Sequence, residues 1–238
     1  MERLSTGIKG LDEKIEGGLV KGSITLIVGK TGTGKTQFCT SFIYSGAIKG
    51  EPGLYITTEE RIDDIKEDIN SMFNWNFTDL EKNEKVKFLS INAIYPEKPL
   101  GDDINRITKS YLISIRSQIA EAIKSVHAQR IALDSISILE MFLQDKYMAR
   151  VMLFGLVEYF KAMGVTVVIS GEIPETSKGL TGSGIIEYLV DGVIKLDFVP
   201  VSEEFKRTMT IRKMRRTDHS TLIHPFEITP EGLKLIKI

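Results

Sequence analysis

Gly29-Lys30-Thr31-Gly32-Thr33-Gly34-Lys35-Thr36 follows the apolar run Ser23-Ile24-Thr25-Leu26-Ile27-Val28 and precedes Gln37-Phe38-Cys39-Thr40-Ser41-Phe42-Ile43. A β-branched run, a glycine-rich turn and an amphipathic stretch, in that order, are the strand, loop and helix of a Walker A phosphate loop. Gly29, Gly32 and Gly34 let successive backbone N–H groups point inward at phosphate oxygens, where a Cβ would obstruct them. The positive end of the following helix completes an anion cradle. Lys35 is placed to reach the β- and γ-phosphates, and the Thr36 hydroxyl to ligate Mg²⁺ beside them. Lys30, Thr31, Thr33 and Gln37 complete the set expected against ATP.

The chain around this loop has 238 residues, 42% of them apolar, and a net charge of −1. That is enough apolar material for the core of a single α/β domain over residues 1–238. The charge balance argues against coating nucleic acid by global electrostatics, although a local basic patch remains open. Cys39 has no partner for an internal disulfide and fits a reducing cytosol as a small core residue. No apolar signal core opens the sequence and no run reaches transmembrane length, so a soluble, cytoplasmic protein is expected.

Beyond the loop, Gly53-Leu54-Tyr55-Ile56-Thr57-Thr58 reads as a strand ending in Glu59-Glu60. Ligands of parallel α/β sheets bind outside the carboxyl ends of strands, so a carboxylate there is placed to orient or deprotonate an attacking water. The other reading makes both glutamates the acidic start of the next helix, where Asp63, Asp64, Glu67 and Asp68 follow with their face in water. Ile104, Ile107, Tyr111, Ile115, Ile119 and Ile123 mark a long helix over residues 103–126. It leads to Arg130-Ile131-Ala132-Leu133-Asp134, a Walker B strand whose carboxylate is expected to hold Mg²⁺ through its water shell. Ser135 and Ser137 read most simply as solvent-facing, and Trp75 and Phe77 as core packing. Leu189–Leu196 and Thr208–Met214 read as antiparallel strands joined by Pro200–Phe205, and the stretch Lys206–Arg216 holds six basic residues in eleven. The polar loop Glu172–Gly184 has three glycines in its last six residues and one lysine, Lys178, through which single-stranded DNA contact is a hypothesis.

From Ser5 to Thr36 the pattern Ser-Thr-Gly-Ile…Gly-Leu-Asp…Gly-Gly-Leu…Gly-Ser-Ile-Thr-Leu-Ile-Val-Gly resembles the opening of KaiC-type ATPases of the RecA/RadA superfamily. The likeness extends to Pro225-Phe226-Glu227-Ile228 and Gly232, where the family ends Pro-Phe-x-Ile-x-x-x-Gly. It implies a single-domain, archaeal-type KaiC-like protein or RadA paralogue. The implied fold is RecA-like: a twisted, mainly parallel sheet between helices, with an antiparallel C-terminal extension. The family's paired glutamates assign catalysis to Glu59 and Glu60. Lys213-Met214-Arg215-Arg216-Thr217-Asp218-His219 resembles the family's Lys-Met-Arg-x-Thr/Ser-x-His motif, which implies that Lys213, Arg215 and His219 approach ATP across a subunit interface. Arg216 stands where that motif usually has glycine.

The implied activity is slow, Mg²⁺-dependent ATP hydrolysis. Its implied purpose is that of a RadA paralogue that binds single-stranded DNA and modulates a recombinase in recombination or repair. The alternative is a KaiC-type signalling ATPase that autophosphorylates or recruits protein partners.

Overall fold

In the computed structural model of the chain, residues 1–91, 103–137, 146–174, 179 and 184–236 are described. The first turn is gathered by one carboxylate. Asp12 accepts hydrogen bonds from the Ser5 and Thr6 hydroxyls at 2.7 and 2.6 Å and from the Thr6 amide at 2.9 Å. That knot folds β1 (Arg3–Leu4) back onto β2 (Leu19–Val20) as a small antiparallel pair.

There follow β3 (Ile24–Gly29), α1 (Lys35–Ala47), β4 (Gly53–Thr57), α2 (Ile62–Phe73), α3 (Phe77–Lys82), β5 (Val86–Ser90), α4 (Asp103–Val126) and β6 (Arg130–Asp134). The chain continues through α5 (Lys146–Ala162), β7 (Thr166–Glu172), the one-turn α6 (Ile186–Leu189), β8 (Gly192–Val201), β9 (Glu204–Met214), β10 (Ile223–Thr229) and β11 (Gly232–Leu235). Among the described residues nine strands form one sheet in the order β11-β10-β9-β8-β3-β7-β6-β4-β5. From β8 to β5 every pairing is parallel, and β9, β10 and β11 add an antiparallel edge.

Apolar residues on both strand faces explain why this sheet lies between layers. Ile24, Leu26, Val28, Ile131 and Leu133 pack on the side of α4 and α5. Ile27, Tyr55, Ala132 and Val168 pack on the side of α1 and α2. Trp75 lies parallel to Tyr44 at 4.3 Å and is core, as expected.

Two boundaries differ from the sequence reading. Leu189 ends the α6 turn, and the strand starts only at Gly192; an apolar Leu-Val pair suits either state. Pro200–Phe205 is not a connection, because Pro200 pairs with Phe205 and Val201 with Glu204, leaving Ser202-Glu203 as a two-residue turn. Since β8 accompanies β3 only to Leu196, the ribbon Asp197–Arg207 runs past Gly29, beyond the carboxyl edge of the sheet. Residues 92–102 and most of Glu172–Gly184, Lys178 included, lie outside the described residues. Among the described residues, no helix is long and apolar enough to cross a membrane.

Candidate active site

β3 delivers its last residue, Gly29, into the carboxyl edge of the sheet between Glu172 of β7 and Leu196 of β8. A Cβ at Gly29 would stand 2.5 Å from Thr33 Oγ1 and 2.8 Å from the Leu196 carbonyl oxygen, so only glycine fits there. Gly34 caps α1 at φ 108°, backbone that an L side chain resists. The Thr33 hydroxyl donates to the Lys30 carbonyl at 2.7 Å and tightens the loop from inside. The Lys35 ammonium donates to the Gly29 and Lys30 carbonyls, both at 3.0 Å, and so lies across the loop mouth.

A cleft of about 290 Å³ opens on this loop. Of the expected nucleotide-binding residues, Thr31, Gly32, Gly34, Lys35, Thr36 and Gln37 line it, while Gly29, Lys30 and Thr33 build the loop behind. Glu59, Glu60 and Asp134 line the same cleft, so groups about a hundred residues apart meet as the sequence requires.

Asp134 is where three elements converge. The Thr36 hydroxyl of α1 donates to its Oδ2 at 2.8 Å, and the Tyr55 hydroxyl of β4 donates to the same oxygen at 2.6 Å. Ser170 of β7 donates to Oδ1. Burial, reinforced by Asp134, pushes the Tyr55 phenol well up, so it stays a proton donor. The same two causes push up the Cys39 thiol, which is buried and neutral, as a core residue should be.

Ser135 corrects the sequence reading: it is buried, and its hydroxyl donates to Glu59 Oε1 at 2.6 Å. Ser137 is likewise engaged, accepting from the Glu172 amide at 3.0 Å. Glu60 is exposed along its length, yet partial burial of its carboxyl, followed by Asp134 and Asp68, pushes it up. Asp68 itself lines the cleft, so the acidic face of α2 does not look only into water. Glu172 lines it too and accepts from the Thr31 hydroxyl at 2.5 Å. Neither Asp68 nor Glu172 stands out in the sequence. Asp68 lies among other acids and Glu172 opens a polar loop, and only the fold selects them.

These donors fit a magnesium nucleotide. Glu59, Glu60, Asp68, Asp134 and Glu172 line a cleft whose cationic lining side chain, among the described residues, is Lys35. A bare polyanion would be opposed there, and a divalent cation offsets that charge. Among the described residues no three His, Cys, Asp or Glu side chains are grouped to cage a metal. The Thr36 hydroxyl suits a ligand of a cation that takes the rest of its shell from phosphate oxygens and water, with the Asp134 carboxylate beside it to hold that water.

Lys213, Arg215 and His219 are not in this cleft. Met214 pairs with Gly192, and Gly192 with Thr25, so β9 ends four residues below Gly29, at the opposite edge of the sheet. At ~3.3 Å per residue that is about 13 Å away. Lys213 donates to the Val190 and Glu187 carbonyls at 2.6 and 3.1 Å, and its burial, then Arg215, pushes its ammonium down. Arg215 faces Asp191 at 3.7 Å and stays half exposed, and His219 Nδ1 lies 3.1 Å from the Ser220 carbonyl. Arg216 takes φ 59°, so the glycine of the family pattern is replaced here without losing the left-handed turn. From the projecting ribbon, Arg207 does reach the loop: its guanidinium lies over Phe198 at 5.1 Å and donates to the Gly32 carbonyl at 3.5 Å.

The sequence profile of the KaiC ATPase family matches residues 4–238. A UPF0273 protein of Thermotoga maritima is 35% identical over 241 residues, covering 98% of this chain and 95% of the relative. The circadian clock protein KaiC2 of Synechocystis is 38% identical over 234 residues, which are 98% of this chain but 40% of KaiC2. The crystal structure of the KaiC-like protein PH0186 from Pyrococcus horikoshii superposes with a TM-score of 0.81 at 35% identity, covering 99% of both chains.

Proposed function

The chain belongs to the KaiC family of ATPases, and from that premise we propose that it binds and slowly hydrolyses MgATP at a site completed by a second copy of itself. The observation that carries the reading is the meeting of Thr36 and Asp134, at 2.8 Å, in the cleft that Glu59 and Lys35 also line. The loop amides and Lys35 bind the phosphates. Bound at Thr36 and Asp134, Mg²⁺ would supply charge stabilisation to the phosphate oxygens. Of the two glutamates, Glu59 is the one that aligns water, because the Ser135 hydroxyl fixes its carboxylate. Orientation decides this role before basicity does, so the raised Glu60 is the lesser choice.

Lys213 and Arg215 sit too far down the sheet to serve the phosphate loop of their own chain, which supports their use on a neighbour's nucleotide. The test mixes two variants. Arg215→Ala is expected to lower turnover by about 10²-fold, the effect of losing one charge-stabilising donor, and Glu59→Gln alone is also expected to be slow. Mixed, the two supply intact pairs and phosphate release recovers to a sizeable fraction of wild type. A mixture as slow as its parts removes the shared site.

A second reading, a RadA paralogue assisting a recombinase on single-stranded DNA, draws on the basic stretch Lys206–Arg216. Arg212 and Arg216 are exposed there. Lys206 pairs with Glu204, and Arg207, Lys213 and Arg215 are engaged within the chain. On this reading a labelled oligothymidylate binds weakly, with log affinity falling about 1.4 units per tenfold salt if two phosphates are met. Arg212→Glu with Arg216→Glu abolishes that binding. No binding of the wild type at low salt ends the DNA reading and leaves the ATPase untouched.

A further inference from the structure

Asp134 receives three hydroxyl donors, from Thr36, Tyr55 and Ser170. Of these, Thr36 is committed to the cation in the reading above, which leaves two whose purpose that reading does not use. Tyr55 is fully buried, two residues before the end of β4, and its side chain shares a sheet face with Ala132 and Val168. A phenylalanine there would fill the same space and keep the ring contact with Phe88, whose centroid is 5.3 Å away. The hydroxyl is therefore extra to packing, and at 2.6 Å it is spent on the one carboxylate assigned to Mg²⁺. Ser170 is also fully buried and holds the other oxygen from the opposite neighbouring strand.

We propose that Tyr55 and Ser170 are positioning residues that lock the Asp134 carboxylate, one oxygen each, and thereby set the Mg²⁺ affinity of the nucleotide complex. The proposal rests on the Mg²⁺ reading of Thr36 and Asp134. A carboxylate clamped on both oxygens keeps one orientation when the Thr36 hydroxyl turns to a ligand. Loss of either clamp frees a rotation that cation binding must then arrest. Partners of metal-ligating groups typically contribute 10- to 100-fold to metal affinity.

The experiment measures binding of a fluorescent methylanthraniloyl-ADP twice, first in EDTA and then during titration with Mg²⁺, for wild type, Tyr55→Phe and Ser170→Ala. No turnover is needed. Both variants are expected to bind the labelled ADP in EDTA within twofold of wild type, while the Mg²⁺ midpoint rises by about 10-fold in each. A merely structural role would weaken both measurements together, and that result overturns the proposal. So does an unchanged Mg²⁺ midpoint in Tyr55→Phe, or in Ser170→Ala should the first variant fail to fold. Wild type whose ADP binding ignores Mg²⁺ fails the metal reading itself, and with it this one. Wild type that responds beside variants that respond alike fails only the positioning roles.

Discussion

Replacing Lys35 with alanine is expected to cut phosphate release by about 10³-fold, the upper end of what one preorganised donor contributes to a charged transition state. The ammonium already lies across the loop mouth, bonded to the Gly29 and Lys30 carbonyls, so it needs little reorganisation to meet a phosphate. Its two acceptors are neutral, and the Gly29 carbonyl keeps the Ile173 amide as a donor, so losing the ammonium costs the fold only about 1–2 kcal/mol. Stability measured by denaturant should therefore change little while turnover collapses. Lys35→Arg is expected not to restore turnover, because a planar fork cannot replace a compact ammonium inside a loop closed by Thr33. Turnover of Lys35→Ala within tenfold of wild type would falsify the assignment of Gly29–Thr36 as the catalytic phosphate loop.

What makes that prediction available from residues alone is locality. Strand, glycines, lysine and helix of the phosphate loop are contiguous, so their chemistry and their geometry are written in the one stretch from Ser23 to Ile43. Asp134 is legible as a strand-end acid, but its clamps are not. Tyr55 and Ser170 lie 79 and 36 residues away on the strands that flank β6, and no periodicity tells which strands those are. Ser135 looks solvent-facing in sequence because serine usually is, and the fold turns it onto Glu59. The basic stretch misleads for the opposite reason: charge is visible in a sequence and its partners are not. Asp191, the Val190 carbonyl and Glu204 take up part of that charge. Leu189-Asp191 read as strand fails at a short apolar run, where helix and strand patterns coincide.

The largest expected loss of stability falls on a residue that sequence reading passes over. Arg130, the first residue of the Walker B strand, is fully buried. Its guanidinium pairs with Glu51, donates to the Ser5 and Phe42 carbonyls at 2.7 and 2.9 Å and to the Ser45 hydroxyl at 3.2 Å, and lies over the Phe42 ring at 4.7 Å. Burial pushes its pKa down, while Glu51 opposes that shift. Gly46 makes the room, since a Cβ there would stand 2.3 Å from the arginine stem. One side chain thus ties the N-terminal segment and the foot of α1 to the foot of β6, whose upper ends carry Thr36 and Asp134. Arg130→Ala leaves a cavity, a carboxylate without its cation, and the Ser5 and Phe42 carbonyls each short of one donor, although Ser45 still donates to Phe42. Breaking such a buried pair costs about 3–5 kcal/mol, against a total of roughly 5–15 for a domain. For a chain of this length that is a fall in Tm of about 6–20 °C. Glu51→Gln should cost less, about 2 kcal/mol, because Glu51 is 27% exposed and its neutral replacement still accepts from the guanidinium. Thermal and urea denaturation of both variants measure the difference, and a loss under 1 kcal/mol for Arg130→Ala would refute the clamp. Because the clamp is the far end of the two elements that bring Thr36 to Asp134, Arg130→Ala should also weaken Mg²⁺-dependent ADP binding at temperatures where the protein remains folded. Glu51→Gln, which leaves the carbonyl bonds in place, should not.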